Sequence, residues 1–170
     1  ADACLLVVDL ADPDCLQRVA AVQEELARRK ATLVTRWPAE GAAPGTSESA
    51  AADDDIFALR LPTLLLANKA DLLDHADTDL EVLAELEEPH FPALLVSAQS
   101  GLGLGDVGAW LWRQLGLVRV YTKAPGKPPE NTRPFTLRAG EQTVEDAARL
   151  VHRDMARTLK YARVWGRSVT

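Results

Sequence analysis

Asn68, Lys69 and Asp71 stand at N-K-x-D spacing in the run PTLLLANKADLLD, directly behind an apolar stretch of strand length. A carboxylate in such a loop can accept two N–H donors at once, which is what the Watson–Crick edge of guanine presents through its ring N1–H and its exocyclic amine. Asp71 is the candidate acceptor. A base without the amine strands part of the carboxylate, at a cost on the order of 1–3 kcal/mol or more. Asn68 would take the other edge of the ring and brace the loop, and the stem of Lys69 would lie over the base plane. Twenty-six residues after Asp71 comes Ser97-Ala98-Gln99, again behind an apolar run. There a backbone N–H near Ala98 would donate to the guanine carbonyl oxygen, with Ser97 fixing the loop. The bland alternative makes Asp71 the N-cap of a turn beginning at Leu72.

These loops need elements to hold them. Ala3–Leu10, Thr63–Ala67 and Ala93–Val96 are continuous apolar runs of strand length, the pattern of parallel strands covered on both faces. Ala31–Thr35 reads as a shorter strand. Helices are expected over Asp14–Lys30 (apolar Leu16, Val19, Val22 and Leu26), Thr78–Leu86 and Val107–Leu115. The alternation argues for an open parallel α/β sheet, whose ligands sit beyond the carboxyl ends of the strands. Both loops lie at such ends. Residues 38–55, PAEGAAPGTSESAAADDD, are small and acidic without periodicity and read as a disordered insertion.

From residue 117 the pattern changes to strand (Val118–Thr122), Pro-rich turn, return strand (Phe135–Arg138), helix and a last strand over Ala162–Trp165. Thr143 followed by Asp146 suggests a capping box opening a helix that runs to about Thr158. The charge divides at the same place. Residues 1–116 carry 8 Lys and Arg against 20 Asp and Glu, a net −12, and residues 117–170 carry 11 against 5, a net +6. Arg149, Arg153, Arg157, Lys160 and Arg163 fall at helical or near-helical steps beside Tyr161 and Trp165. Such a basic, aromatic stripe suits RNA, by phosphate contact and base stacking, or an interdomain face pairing with the acidic residues 1–116. His152 is expected to pack on the apolar side of this helix. Trp110 and Trp112, two apart, cannot share one core, so one should face the tail or another domain.

Cys4, Cys15 and the three histidines form no disulfide framework and no metal-ligand spacing, and they fit core thiols in a reducing cytoplasm. No apolar run is long enough to span a membrane. The N-terminus lacks a basic leader, does not open with Met, and enters a strand at once.

NKAD and SAQSG resemble the fourth and fifth guanine-nucleotide motifs of the GTPase superfamily. The stretch from Leu115 onward, with VRVYTK-PG, the T-V-E-D helix start and KYARVWG-SV, closely resembles the TGS domain that ends GTPases of the Obg-like, developmentally-regulated-GTP-binding-protein branch. The resemblance implies residues 1–116 as the second half of a P-loop G domain and residues 117–170 as a β-grasp TGS domain. It also implies GTP or GDP as ligand, Mg²⁺ in the full-length protein, and ribosomal or transfer RNA or a regulatory protein as partner in cytoplasmic translation. No G-x-x-x-x-G-K-[ST] is present: Gly126-Lys127 is followed by Pro128. No D-x-x-G is present either, since Asp106-Val107-Gly108-Ala109 misses by one position. The chain is therefore expected to be an internal fragment, incomplete within the TGS domain, with no catalytic or metal-binding residues of its own and no GTP hydrolysis by itself. The competing expectation is a non-catalytic RNA- or protein-binding module on a degenerate G-domain scaffold.

Overall fold

The computed structural model describes residues 2–38, 59–124, 126–128, 133–138 and 143–166. The acidic insertion lies outside them apart from Pro38, as does part of the Pro-rich turn. The chain divides into two compact units, Ala1–Leu115 and Gly116–Thr170.

The first unit is built on four parallel strands, β1 (Cys4–Asp9), β2 (Ala31–Val34), β3 (Leu59–Asn68) and β4 (Ala93–Leu95). β3 is the hub, pairing β2 through Leu59–Pro62, β1 through Thr63–Asn68 and β4 through Leu65–Ala67. Pro62 sits where β3 changes partner from β2 to β1, a place where a missing amide donor costs little. The strand therefore runs four residues further back than its apolar core suggests.

Parallel partners share a face, so Leu6, Val8, Leu65 and Ala67 point one way. They meet Val19 of α1 (Cys15–Arg28) and Leu83 of α2 (Ala76–Leu86), together with Leu33 and Phe91. Leu64 and Leu66 point the other way. There Val107, Trp110 and Leu111 of α3 (Leu104–Gln114) pack on them with Trp37 and Val96. Trp110 stands edge-on to Trp37 at 4.7 Å, so its partner is inside this unit. Two expectations change here. β1 is not covered on both faces: Leu5 and Val7 are 43% and 60% exposed, because α3 and Trp37 cover β3 and β4. Val22 of α1 is exposed too, and the neighbouring Gln23 instead reaches Glu87 Oε1 and the Glu88 carbonyl oxygen, each at 3.2 Å.

In the second unit β5 (Leu117–Val120) and β6 (Phe135–Arg138) form an antiparallel pair. Lys127 N–H closes a turn on the Ala124 carbonyl at 3.1 Å, with Gly126 at φ +77°, so the Gly-Lys pair is a turn. Thr143 and Asp146 form the capping box: Asp146 N–H donates to Thr143 Oγ1 at 3.3 Å, and Thr143 N–H donates to Asp146 Oδ2 at 2.8 Å. The helix they open does not run to Thr158. It ends as α4 (Val144–Val151) because His152 is extended (φ −164°, ψ 137°), and α5 (Arg153–Thr158) restarts beyond it. His152 is exposed, not packed, and its Nδ1 accepts the Asp154 N–H at 3.2 Å to cap α5. Ala162–Trp165 is not a strand; among the described residues it finds no ladder partner, and each of its side chains is exposed.

Candidate functional site

β1, β3 and β4 run parallel, so their carboxyl ends lie along one rim of the sheet. The β3 and β4 loops are stitched to each other there. Val96 N–H donates to the Ala67 carbonyl at 2.9 Å, and Ala70 N–H donates to the Val96 carbonyl at 3.2 Å. Side chains add two bonds. Ala98 N–H donates to Asn68 Oδ1 at 2.9 Å, and Ser97 Oγ donates to Asp71 Oδ1 at 2.5 Å. Ser97 is fully buried, and its Oγ also accepts the Ser100 N–H at 3.0 Å, which fixes the hydroxyl so that its proton points at Asp71.

Asp71 lies in a single 3₁₀ turn, Ala70–Leu72. Its side chain crosses to Ser97 instead of capping that turn. Ser97 takes one of roughly four lone-pair positions on the carboxylate, and the residue is exposed, so the remaining acceptor capacity faces outward. That geometry suits a ligand edge carrying two neighbouring N–H donors. The Ala98 N–H is engaged by Asn68, so donating it to a ligand carbonyl requires Asn68 to release it. Gln99 is exposed at the crest of the loop.

Lys69 adopts the left-handed conformation (φ 69°, ψ 29°), turning its side chain away from the course of β3. Its Nζ lies 2.6 Å from Asp9 Oδ2, at the end of β1. The hydrogen bond from Lys69 and then its positive field hold Asp9 below the ordinary carboxylate value, and Asp9 in turn raises Lys69.

Sequence reasoning missed Asp9 and Gly103. Asp9 had a signal, an acid closing an apolar strand. Gly103 (φ +69°) precedes α3, and a Cβ there would overlap the Leu95 carbonyl oxygen and lie 3.3 Å from Val96 Cγ1. This glycine lets α3 begin hard against the strand that delivers Ser97. Among the described residues no three His, Cys, Asp or Glu side chains converge as metal ligands. Nor is any helix among them long and apolar enough to cross a membrane.

The basic residues of the second unit are distributed otherwise than a single helix would place them. Arg149 on α4 is ion-paired to Glu145 and Asp146, each at 2.9 Å. Arg153 and Arg157 lie on α5, while Lys160, Tyr161 and Arg163 follow it in irregular, exposed chain. Tyr161 is 82% and Trp165 71% exposed, and Lys123 Nζ stands 5.6 Å from the Trp165 ring.

The architecture is that of a P-loop GTPase-type parallel α/β sheet followed by an α+β unit, and residues 118–170 match the TGS domain family. The chain is homologous to developmentally-regulated-type GTP-binding proteins. It is 34% identical over 108 residues to an uncharacterized GTP-binding protein of Methanocaldococcus jannaschii, a match covering 64% of this chain and 27% of that protein. It is 34% identical over 128 residues to developmentally-regulated G-protein 1 of Arabidopsis thaliana, covering 71% and 31% respectively. With developmentally-regulated G-protein 2 of the same plant it shares 41% identity over 78 residues, 45% of this chain and 20% of that one. The matched stretches thus span about a third or less of these relatives' lengths.

Proposed function

We propose that this chain supplies the base-reading half of a guanine-nucleotide site in a TGS-bearing GTP-binding protein. The observation that carries the reading is the double link between the loops, Ser97 to Asp71 and Ala98 to Asn68. Asp71, oriented by Ser97, accepts the guanine N1–H and exocyclic amine together. Asn68 braces the Ala98 loop and meets the imidazole edge of the base, and the methylene stem of Lys69 covers one face. Ala98 and Gln99 border the guanine carbonyl oxygen.

Bound to the intact gene product, GTP would carry its phosphates outside these residues, because the sequence holds neither G-x-x-x-x-G-K-[ST] nor D-x-x-G. Residues 1–170 alone then neither hydrolyse GTP nor bind it tightly, since the charge-assisted phosphate contacts are missing. Any GTP hydrolysis, and the Mg²⁺ it uses, belongs to residues beyond this sequence.

The TGS domain is the partner-facing part. Arg153, Arg157, Lys160 and Arg163 share one exposed stretch of sequence with Tyr161 and Trp165, a composition suited to ribosomal or transfer RNA in the cytoplasm. A regulatory protein on the same surface would bind without the steep salt dependence of a phosphate backbone.

Competition binding to the intact gene product tests the base-reading claim. GDP should displace a fluorescent GDP probe at least about tenfold better than IDP or ADP, the order set by one unpaired polar contact. Equal competition by the three would overturn it.

A further inference from the structure

We propose that Asp9 is a positioning residue of the guanine site, holding the Lys69 ammonium so that the lysine stem forms a fixed wall against one face of the base. This deepens the base-reading proposal and rests on it.

The seat is built by the backbone. Parallel pairing places Asp9 opposite Asn68, and Leu10 N–H donates to the Asn68 carbonyl at 3.0 Å, so the turn after β1 and the loop after β3 start side by side. Asp9 Oδ1 accepts the Ala11 N–H at 3.2 Å, which orients the carboxylate and leaves Oδ2 for Lys69 Nζ at 2.6 Å. Lys69, in the left-handed conformation between Asn68 and Ala70, sends its side chain toward β1, two positions before Asp71. Its stem therefore runs along the rim of the sheet between two fixed points.

The pair contributes little to holding the fold. Its side chains are 49% and 36% exposed, and bridges so open to water are weak and screened. What the bridge does change is the freedom of a four-carbon chain beside the ligand. An unrestrained lysine loses rotamer entropy when a base packs on it, whereas a tethered one has already lost it.

A double-mutant cycle on the intact gene product, read with fluorescent GDP and with IDP as competitor, tests the assignment. Asp9→Asn keeps an acceptor for the Ala11 N–H and removes the charge; Lys69→Met keeps the apolar stem and removes the ammonium. Each single variant should weaken GDP about two- to fivefold, the most that so open an ion pair can contribute by holding the lysine in place. The double variant should be no weaker than either single one, and Asp9→Glu should recover part of the loss. The GDP-to-IDP ratio, set by Asp71, should stay at the wild-type value, and a merely structural defect would not produce that pattern. A change under twofold for Asp9→Asn, or losses that multiply in the double variant, overturns the proposal. Asp71→Asn separates the two claims: if it leaves the GDP-to-IDP ratio untouched, the base-reading claim falls and takes this one with it. If it alters that ratio while Asp9→Asn changes nothing, only the role of Asp9 fails.

Discussion

Replacing Gly103 by alanine should damage both the fold and the site, by an amount the geometry allows to be worked out. Gly103 has φ +69°, and a left-handed alanine costs about 1–2 kcal/mol on backbone grounds alone. The new Cβ would also overlap the Leu95 carbonyl oxygen and press on Val96 Cγ1. Forcing that much extra volume against packed backbone adds about 1–3 kcal/mol. The total is about 2–5 kcal/mol, which at a urea m-value of about 2 kcal/mol/M lowers the midpoint by about 1–2.5 M. Gly101 is the internal control. It has φ +84° and open space where a Cβ would stand, with nothing within 4 Å, so Gly101→Ala should cost only the backbone part. Since Leu95 leads directly into Val96 and Ser97, Gly103→Ala should also loosen the Ser97–Asp71 bond and weaken guanine-nucleotide binding more than Gly101→Ala does. Urea denaturation of the two variants side by side is the assay. Equal destabilisation would refute the close approach of α3 to β4 as the reason for the glycine.

Other outcomes follow from the same contacts. Leu65→Ala, in the fully buried centre of β3, should cost about 2–5 kcal/mol by urea denaturation, because it opens a cavity between β1, α1 and α2. Thr143→Ala should cost about 1 kcal/mol and shorten α4 in amide-exchange measurements, as the cap is lost. The Thr143 backbone N–H, foremost, holds Asp146 below the ordinary 3.8 of a carboxylate. A depressed folded value means that its contribution is complete above 3.8 and lost as pH falls through the lower folded value. Amide signals of the first turn of α4 should therefore shift in acid, and Thr143→Ala should blunt the shift. If the TGS domain holds RNA, removing Arg153 or Arg157 should weaken binding alike across sequences and reduce the salt slope by about 0.7–0.9 per cation. An unchanged slope points to a protein partner.

Much of the sheet was legible because buried parallel strands are apolar throughout, and a run such as LLLA reads as a strand without its neighbours. That the loops carrying Asp71 and Ser97 would lie together could be read too, as each follows an apolar run whose carboxyl end had to reach the same rim. What escaped depended on pairing. The Asp9 seat exists only because β1 and β3 are in register, and Leu59–Pro62 became strand only because β2 lies beside them. The break at His152 shows the limit of periodicity. The basic residues keep helical steps across it, but an imidazole accepting the Asp154 N–H lets the chain turn extended and restart. Ala162–Trp165 has strand-forming residues, yet propensity makes no strand by itself, and among the described residues no edge pairs with it.

The most direct test of the account is the nucleotide preference of Asp71→Asn in the intact gene product. The amide replaces one acceptor oxygen by a donor, so it matches a base with a carbonyl where guanine has its amine. The variant should lose about ten- to hundredfold in GDP affinity and gain affinity for XDP, reversing the wild-type order. If it binds GDP and XDP in the wild-type proportion, Asp71 does not read the base, and the site proposed at this rim of the sheet is wrong.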